Sequence, residues 1–360
     1  MRGDLIKTYM IMNGFGKFFL CINCSLNLDL STSFDFVLLL PESTSFVQLV
    51  SNSGASAVNL VAIAILSRRK CGLSTCTILY LVAMATADLL VIINEVLLLR
   101  INFYYFPGSF LNITPVCSVI AVLCRAASDN SVWFTVTFSF DRFVAICCQK
   151  MKAKYCTKKT SAVVLATTCT LLCFKNVPFY FAFEPGDIIN NVPWFCTVMS
   201  NYFTDSGWVA FDWFDTVLTP LLPFVLILLL NALTVRHILV ASRVRKGLRG
   251  DSKGENRNDP EMESRRKSVL LLFTISSSFV ILWLIVVIDF LYYNIAGKGH
   301  GGYDVSEYIF RQVGLMLRNL SCCTNTFIYA ATQSKFREQF KSAVKSPVIS
   351  IIQLINKQKK

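Results

Sequence analysis

The chain has 360 residues, 54% of them hydrophobic and only 16% charged, where a soluble domain carries about 25% charge. Its mean hydropathy of +0.53 places much of it where charge is costly. The formal net charge of +13 comes from short basic runs between long apolar stretches, a distribution that argues against nucleic acid as a partner. Fourteen cysteines would be a disulfide framework in a small secreted chain. Here most of them, such as Cys169, Cys173, Cys322 and Cys323, lie inside apolar runs and read as packing residues. The two histidines, His237 and His300, do not form a metal-ligand spacing.

A bilayer core about 30 Å thick needs roughly 20 mostly apolar helical residues. The apolar run Met10 to Ile22 contains Gly14, Gly16 and Lys17. It is too short and interrupted to span, and it makes a poor signal peptide. Spans are predicted over residues 46–67, 77–99, 117–147, 161–182, 210–236, 268–294 and 309–331. The fold class is therefore all-α integral membrane: a seven-transmembrane helix bundle with a short amphipathic eighth helix. Residues 1–45 form an outer segment, 46–331 the bundle, and 332–360 the amphipathic helix and tail.

Lysines and arginines set the direction. The first loop has Arg68, Arg69 and Lys70, and the third has Lys150, Lys152, Lys154, Lys158 and Lys159. The fifth, Arg236 to Lys267, has ten basic residues, and the tail has Lys335, Arg337, Lys341 and Lys345. The loop from Glu184 to Asp215 instead has five acids and no lysine or arginine. The N-terminus is thus expected outside a plasma-membrane protein that crosses several times, with the C-terminus in the cytoplasm. The sequons at Asn23 and Asn112 then fall outside as glycosylation sites, while the match at Asn319 lies within a span and is idle. Gly247 to Pro260 is polar and reads as a mobile loop.

Seven helices suit a receptor, a transporter or a channel, so the interior motifs decide. The third span ends in Phe140-Asp141-Arg142-Phe143, with Cys117 lying 25 residues before Arg142. The first span has Asn59-Leu60-Val61, and the second Ala85-Thr86-Ala87-Asp88-Leu89-Leu90. The sixth has Phe279-Val280-Ile281-Leu282-Trp283. The seventh has Asn325-Thr326-Phe327-Ile328-Tyr329, followed by the amphipathic Ser334 to Phe340. Over roughly residues 45–345 this series resembles the rhodopsin-like (class A) G-protein-coupled receptors, with Phe143 for the tyrosine of D-R-Y. A bare interfacial ion pair is the plain alternative for Asp141-Arg142.

The resemblance implies a disulfide between Cys117 and Cys196, and a G-protein-coupling face carrying Asp141, Arg142, Asn231 and Tyr329. It also implies an activation switch of Phe279 and Trp283. Three departures stand out: Ile285 and Thr326 replace the family's prolines in spans six and seven, and span four lacks its tryptophan. Asn112 to Ile146, the Leu272-Phe273-Thr274-Ile275 run and the short tail look most like probable G-protein coupled receptor 139 and its relatives. That subgroup implies aromatic amino acids or small peptides as ligands and Gq-type partners.

Ionisable groups at bilayer depth are costly unless paired or hydrated, so each is a functional candidate. The resemblance places Asp88, Ser131, Ser321 and Asn325 where the family builds an oxygen-lined sodium pocket. No cofactor is required, and Asp88 is expected to hold an allosteric sodium ion unless it simply hydrogen-bonds Asn59 and Asn325. Glu95, Arg125, Asp129, Asp289 and Arg318 form a charged set in the outer half. Cys124 stands where amine receptors carry an aspartate, so a simple monoamine is not expected. Arginine with carboxylates suits a zwitterion: an aromatic one is expected between spans three, six and seven, with Arg318 holding its carboxylate and Trp283 beneath its ring. Against ligand contact, Arg125 and Asp129 are spaced to pair along one helix, and Arg318 can pair with Glu95. The basic inner rim also suits anionic lipid. No nucleophile, metal cluster or phosphate loop supports an enzyme. A transporter predicts internal repeats or spans broken by glycine and proline, and the sequence shows neither. A receptor-shaped protein with weak or no signalling stays open.

Overall fold

A computed structural model describes residues 56–68, 71–248, 260–296 and 304–343. Asn23, residues 46–55 of the first span, residues 249–259 of the polar loop and the tail beyond residue 343 lie outside that set. Seven helices make the bundle. They are α1 (Ser56–Ser67), α2 (Thr75–Val91, continued as a π-helix over Ile92–Ile101) and α3 (Thr114–Cys147). Next come α4 (Lys158–Asn176, extended by a 3-10 stretch Val177–Ala182) and α5 (Ser206–Thr216 and Leu222–Leu248, joined through Val217–Leu221). The last two are α6 (Pro260–Ala296) and α7 (Val305–Thr332). A short helix, Gln149–Tyr155, joins α3 to α4, and α8 occupies residues 334–343.

Local chemistry sets the helix starts. Ser74 caps α2 by accepting from the Thr77 N–H at 3.2 Å, and Thr157 caps α4 by accepting from Thr160 N–H at 3.2 Å. Asp304 and Glu307 form a reciprocal capping box at α7. Each cap satisfies backbone donors that the first turn cannot pair. Span five is not one continuous helix as the sequence pattern implied. Pro220 supplies no N–H and disfavours helical geometry at the residue before it, and Thr219 is extended at φ −148°, ψ 112°.

In lipid, helices associate through packing and polar contacts rather than through the hydrophobic effect. Accordingly α3 lies at the centre, packed against α2, α4, α5 and α6, while α7 packs on α6 and α2. Tyr80, Leu81, Phe138, Tyr329 and Phe336 are fully buried in one cluster that ties α2, α3, α7 and α8 together. Among the described residues, four helical stretches are apolar and long enough to cross a membrane: Thr75–Leu99, Lys158–Ala182, Ser206–Ala241 and Lys267–Tyr292. α3 carries the buried charges Asp129, Asp141 and Arg142, and α7 the part-buried Arg318. Leu171, Phe174, Val225, Leu229, Ile281 and Leu284 stay exposed on α4, α5 and α6, as lipid-facing positions would.

The acidic loop contains a hairpin that the sequence reading did not anticipate: β1 (Phe183–Ile189) pairs antiparallel with β2 (Val192–Val198). Asn190 and Asn191 turn it at φ 54° and 61°, the left-handed region a two-residue hairpin turn needs and asparagine tolerates. Phe195 also has positive φ, 61°, and Gly186 leaves room for it: a Cβ there would stand 3.3 Å from the Phe195 Cβ. The Phe195 carbonyl accepts from Thr114 Oγ1 at 2.6 Å, so the hairpin is moored to the start of α3. The Cys117–Cys196 disulfide fastens the same junction, with a Cα–Cα distance of 6.1 Å.

That bond closes a separation of 79 residues. Replacing both cysteines by serine should therefore cost roughly 2–4 kcal/mol, read as a lower Tm in detergent. Non-reduced peptide mass spectrometry should recover Cys117 and Cys196 cross-linked; two free thiols in folded protein would contradict the pairing.

Candidate functional site

Polar groups collect at three levels along α3. In the half of α3 nearer the hairpin, Lys175 of α4 sits between two carboxylates, 2.6 Å from Asp129 Oδ2 and also paired with Asp215 of α5. Asn176 donates to Asp129 at 2.6 Å, and Arg125 reaches Asp215 at 3.3 Å. Two cations and two anions thus neutralise one another across α3, α4 and α5. Arg125 and Asp129 do not pair along their own helix; each turns to a partner on a neighbouring one. The Arg125 guanidinium lies 3.9 Å from the centroid of the Phe179 ring, with its side chain 40% exposed. Lys175, by contrast, is 8% exposed.

On the other side of α3, Arg318 of α7 is ion-paired with Glu95 in the π-helical part of α2. The charged residues therefore form two groups rather than one pocket rim: Glu95 with Arg318, and Arg125 and Asp129 with Lys175 and Asp215. Asp289 is half-buried on α6. Trp283 stacks on Phe279, with centroids 5.4 Å apart, inside a cluster with Val132, Val136, Ile227 and Val286. On α3, Val132 lies seven residues beyond Arg125, about 10 Å deeper at the helical rise.

At the middle level Asp88, 1% exposed, accepts from Ser131 Oγ at 2.5 Å and from Asn325 Nδ2 at 2.9 Å. Asn59 does not bond Asp88. It donates to the Cys322 carbonyl at 2.9 Å and accepts from Thr326 at 3.2 Å, so Thr326 ties α7 to α1 where the family has a kinking proline. Ser321, one turn before Asn325, is not among the Asp88 partners. Among the described residues, no lysine or arginine pairs with Asp88.

At the far end Arg142 is bound to the carboxylate of its neighbour Asp141, its Nε donating to Oδ2 at 3.0 Å. Both are buried, at 5% and 1% exposure, and the guanidinium carbon stands 5.9 Å over the Phe138 ring. The Cys76 thiol donates to Asp141 Oδ1 at 3.0 Å. In the loop beyond α3, burial and the nearby Asp141 carboxylate push the Cys156 thiol up to about 11, so it stays protonated at neutral pH. Asn231 Oδ1, Ser276 Oγ and Tyr329 Oη are buried without a hydrogen-bond partner among the described residues. They come from α5, α6 and α7 respectively.

Sequence reasoning missed Lys175, Asn176, Cys76 and Ser161. Lys175 was legible as a lone charge inside an apolar span; the others carried no such signal. Asp215, counted with the acidic loop, belongs to α5 and is buried. Asn112 is corrected too. It is 5% exposed, its amide donates to the carbonyls of Phe106 at 3.1 Å and Pro107 at 2.9 Å, and its Oδ1 accepts from Asn102 at 2.7 Å. A buried amide with both protons engaged has no room for a glycan.

A bundle that hides ion pairs in one half, a hydrogen-bonded carboxylate with no cationic partner among the described residues beside them and an Asp-Arg pair at the other end is built as a membrane receptor. The family model described as 7 transmembrane receptor (rhodopsin family) matches residues 58–329, and the chain belongs to that family. Its members are multi-pass plasma-membrane receptors rather than enzymes, working between a ligand and a G protein.

Removing Lys175 would leave Asp129 and Asp215 charged and buried, so Lys175→Ala should cost roughly 3–5 kcal/mol. Arg125→Ala, at a half-exposed position, should cost about 1 kcal/mol or less. Thermal unfolding in detergent ranks the two; a larger loss at Arg125 would contradict this account of the cluster.

Proposed function

We propose that the chain is a G-protein-coupled receptor whose hairpin face is extracellular and whose Asp141-Arg142 face meets a heterotrimeric G protein of the Gq type. The observation that carries this reading is the placement of Arg142, buried and held by Asp141 at the end of the same helix that carries Arg125 seventeen residues earlier and Asp129 thirteen residues earlier. A change of partners at one end then has a continuous element through which to bias the other. The unpartnered polar atoms of Asn231, Ser276 and Tyr329 support a second arrangement, because buried polar groups without a bond in one state call for one in another. The N-terminus lies outside, the tail inside, and the inner lysines face anionic lipid.

The ligand in this reading is a small molecule or short peptide carrying a carboxylate beside an aromatic ring, as in an aromatic amino acid. Arg318 is only 14% exposed and its ion pair is with Glu95, while its Nε is buried without a hydrogen-bond partner among the described residues. Arg125 makes one ion pair, lies half-exposed and is backed by Phe179, which leaves donors of its fork for a carboxylate. Arg125→Ala should thus shift agonist potency more than tenfold at normal surface expression, and Arg125→Lys should recover little of it. In a calcium-release assay over amino acids and short peptides, unchanged potency in Arg125→Ala with a large shift in Arg318→Ala would reverse the assignment.

Asp88 fits a sodium ion in the inactive state. It is a buried carboxylate with no cationic partner among the described residues, and the Ser131 hydroxyl beside it supplies a further oxygen for a hard cation. Bound there, sodium would supply the charge that offsets Asp88, while Asn325 orients the carboxylate. Agonist affinity should fall as sodium rises in the parent and stay level in Asp88→Asn; equal sensitivity in both would remove the ion from the account.

One observation favours a weakly signalling receptor. α6 runs unbroken past Ile285, and α7 runs unbroken past Thr326, which anchors it to Asn59. High basal and ligand-driven activation would exclude that reading.

A further inference from the structure

The Asp141 carboxylate has two oxygens, and Arg142 occupies Oδ2 with both of its contacts. Oδ1 is held by the Cys76 thiol of α2, 3.0 Å away. Cys76 Sγ also lies 2.8 Å from Ser161 Oγ of α4, and Ser161 Oγ is 2.9 Å from the Thr157 carbonyl. Cys76, Asp141 and Ser161 are all buried, at 3%, 1% and 0% exposure. The thiol and the hydroxyl have one proton each, to serve three acceptors. A carboxylate gains more from a donor than a neutral oxygen does, so the thiol proton goes to Asp141. The Ser161 proton is then left to the Thr157 carbonyl or to the Cys76 sulfur. A carboxylate buried among helices needs its remaining lone pairs satisfied, and α2 brings the thiol to do that.

We infer that Cys76 is a positioning residue: its thiol, seated against Ser161, tethers the Asp141 carboxylate to α2 and α4 and so keeps Arg142 in its held state. Removing the donor frees one carboxylate oxygen and loosens the α2–α3–α4 junction, and the bundle shifts toward the arrangement in which Arg142 is released. The effect on signalling rests on the coupling role proposed above for Asp141-Arg142; the tether itself does not.

Two readouts separate these points. The first is the infrared S–H stretch of purified full-length protein in lipid nanodiscs, taken as the parent spectrum minus that of Cys76→Ala. A thiol bound to a carboxylate gives a broadened band at lower frequency than the exposed Cys173 thiol, obtained from Cys173→Ala in the same way. Asp141→Asn should move the Cys76 band back toward the Cys173 position. The second is basal G-protein activation at matched surface expression. Cys76→Ala should raise it roughly threefold to tenfold, the range of an ordinary net hydrogen bond, because a thiol is a weak donor, and Cys76→Ser, which keeps a donor, should return it close to the parent. A Cys76 band at the Cys173 frequency, or one indifferent to Asp141→Asn, overturns the tether. Equal basal activity in the alanine and serine variants overturns the donor role even if both differ from the parent. If the band responds but no form engages a G protein, the tether stands and the coupling reading fails. Should Cys76→Ala not fold, the Cys76→Ser and Asp141→Asn spectra decide the question.

Discussion

The bundle depends on neutralising the charges that α3 carries through its own length. Arg125, Asp129, Asp141 and Arg142 lie on one helix, and none is cheap to leave bare at bilayer depth. Each draws in a partner: Asp215 from α5, Lys175 from α4, and the Asp141-Arg142 pair itself with a thiol from α2. The same requirement explains why α3 is central. The charged positions of this helix cannot face lipid, so the apolar helices α4, α5 and α6 stand against them and turn leucines and phenylalanines outward, while Val119, Leu123 and Phe140 leave α3 an exposed apolar edge. The Glu95–Arg318 pair applies the same rule between α2 and α7.

Most of the architecture was legible in the sequence because hydropathy and the motif order constrain it twice. Six of the seven predicted spans lie within α2 to α7, although α5 runs on to Leu248 and α6 begins at Pro260, beyond the predicted ends at 236 and 268, and the described part of the first lies within α1. What escaped was local. The Thr219–Pro220 interruption was hidden inside a strongly apolar run, where composition outweighed the proline. The hairpin had a readable turn at Asn190-Asn191, but strands of seven residues with little alternation gave no periodic signal.

The polar interior was less legible, for a physical reason. Spacing along one helix can suggest that Arg125 meets Asp129, but it says nothing of a lysine arriving from another helix. Lys175 changes the partners of both carboxylates, and it was visible only as a charge in the wrong place. Likewise Asn59 was a sensible partner for Asp88, yet Thr326 and the Cys322 carbonyl claim it. Pairings that depend on the rotation of three helices at once cannot be read from a linear pattern.

The uninterrupted run of α6 has a mechanical corollary. Its 37 residues make a rod about 55 Å long, well beyond the roughly 30 Å of hydrocarbon it crosses. The cluster in which Phe279 and Trp283 meet Val132, Val136 and Ile227 seats it off-centre, with 23 residues from Pro260 to Trp283 and 13 from Trp283 to Ala296. A helix broken by proline bends at its hinge and leaves one half still. A stiff rod on an off-centre fulcrum behaves as a lever, its longer arm sweeping about 1.8 times the travel of the shorter for any given tilt. In this chain, leverage can stand in for a hinge: a small displacement near Tyr292 is geometrically magnified at Pro260.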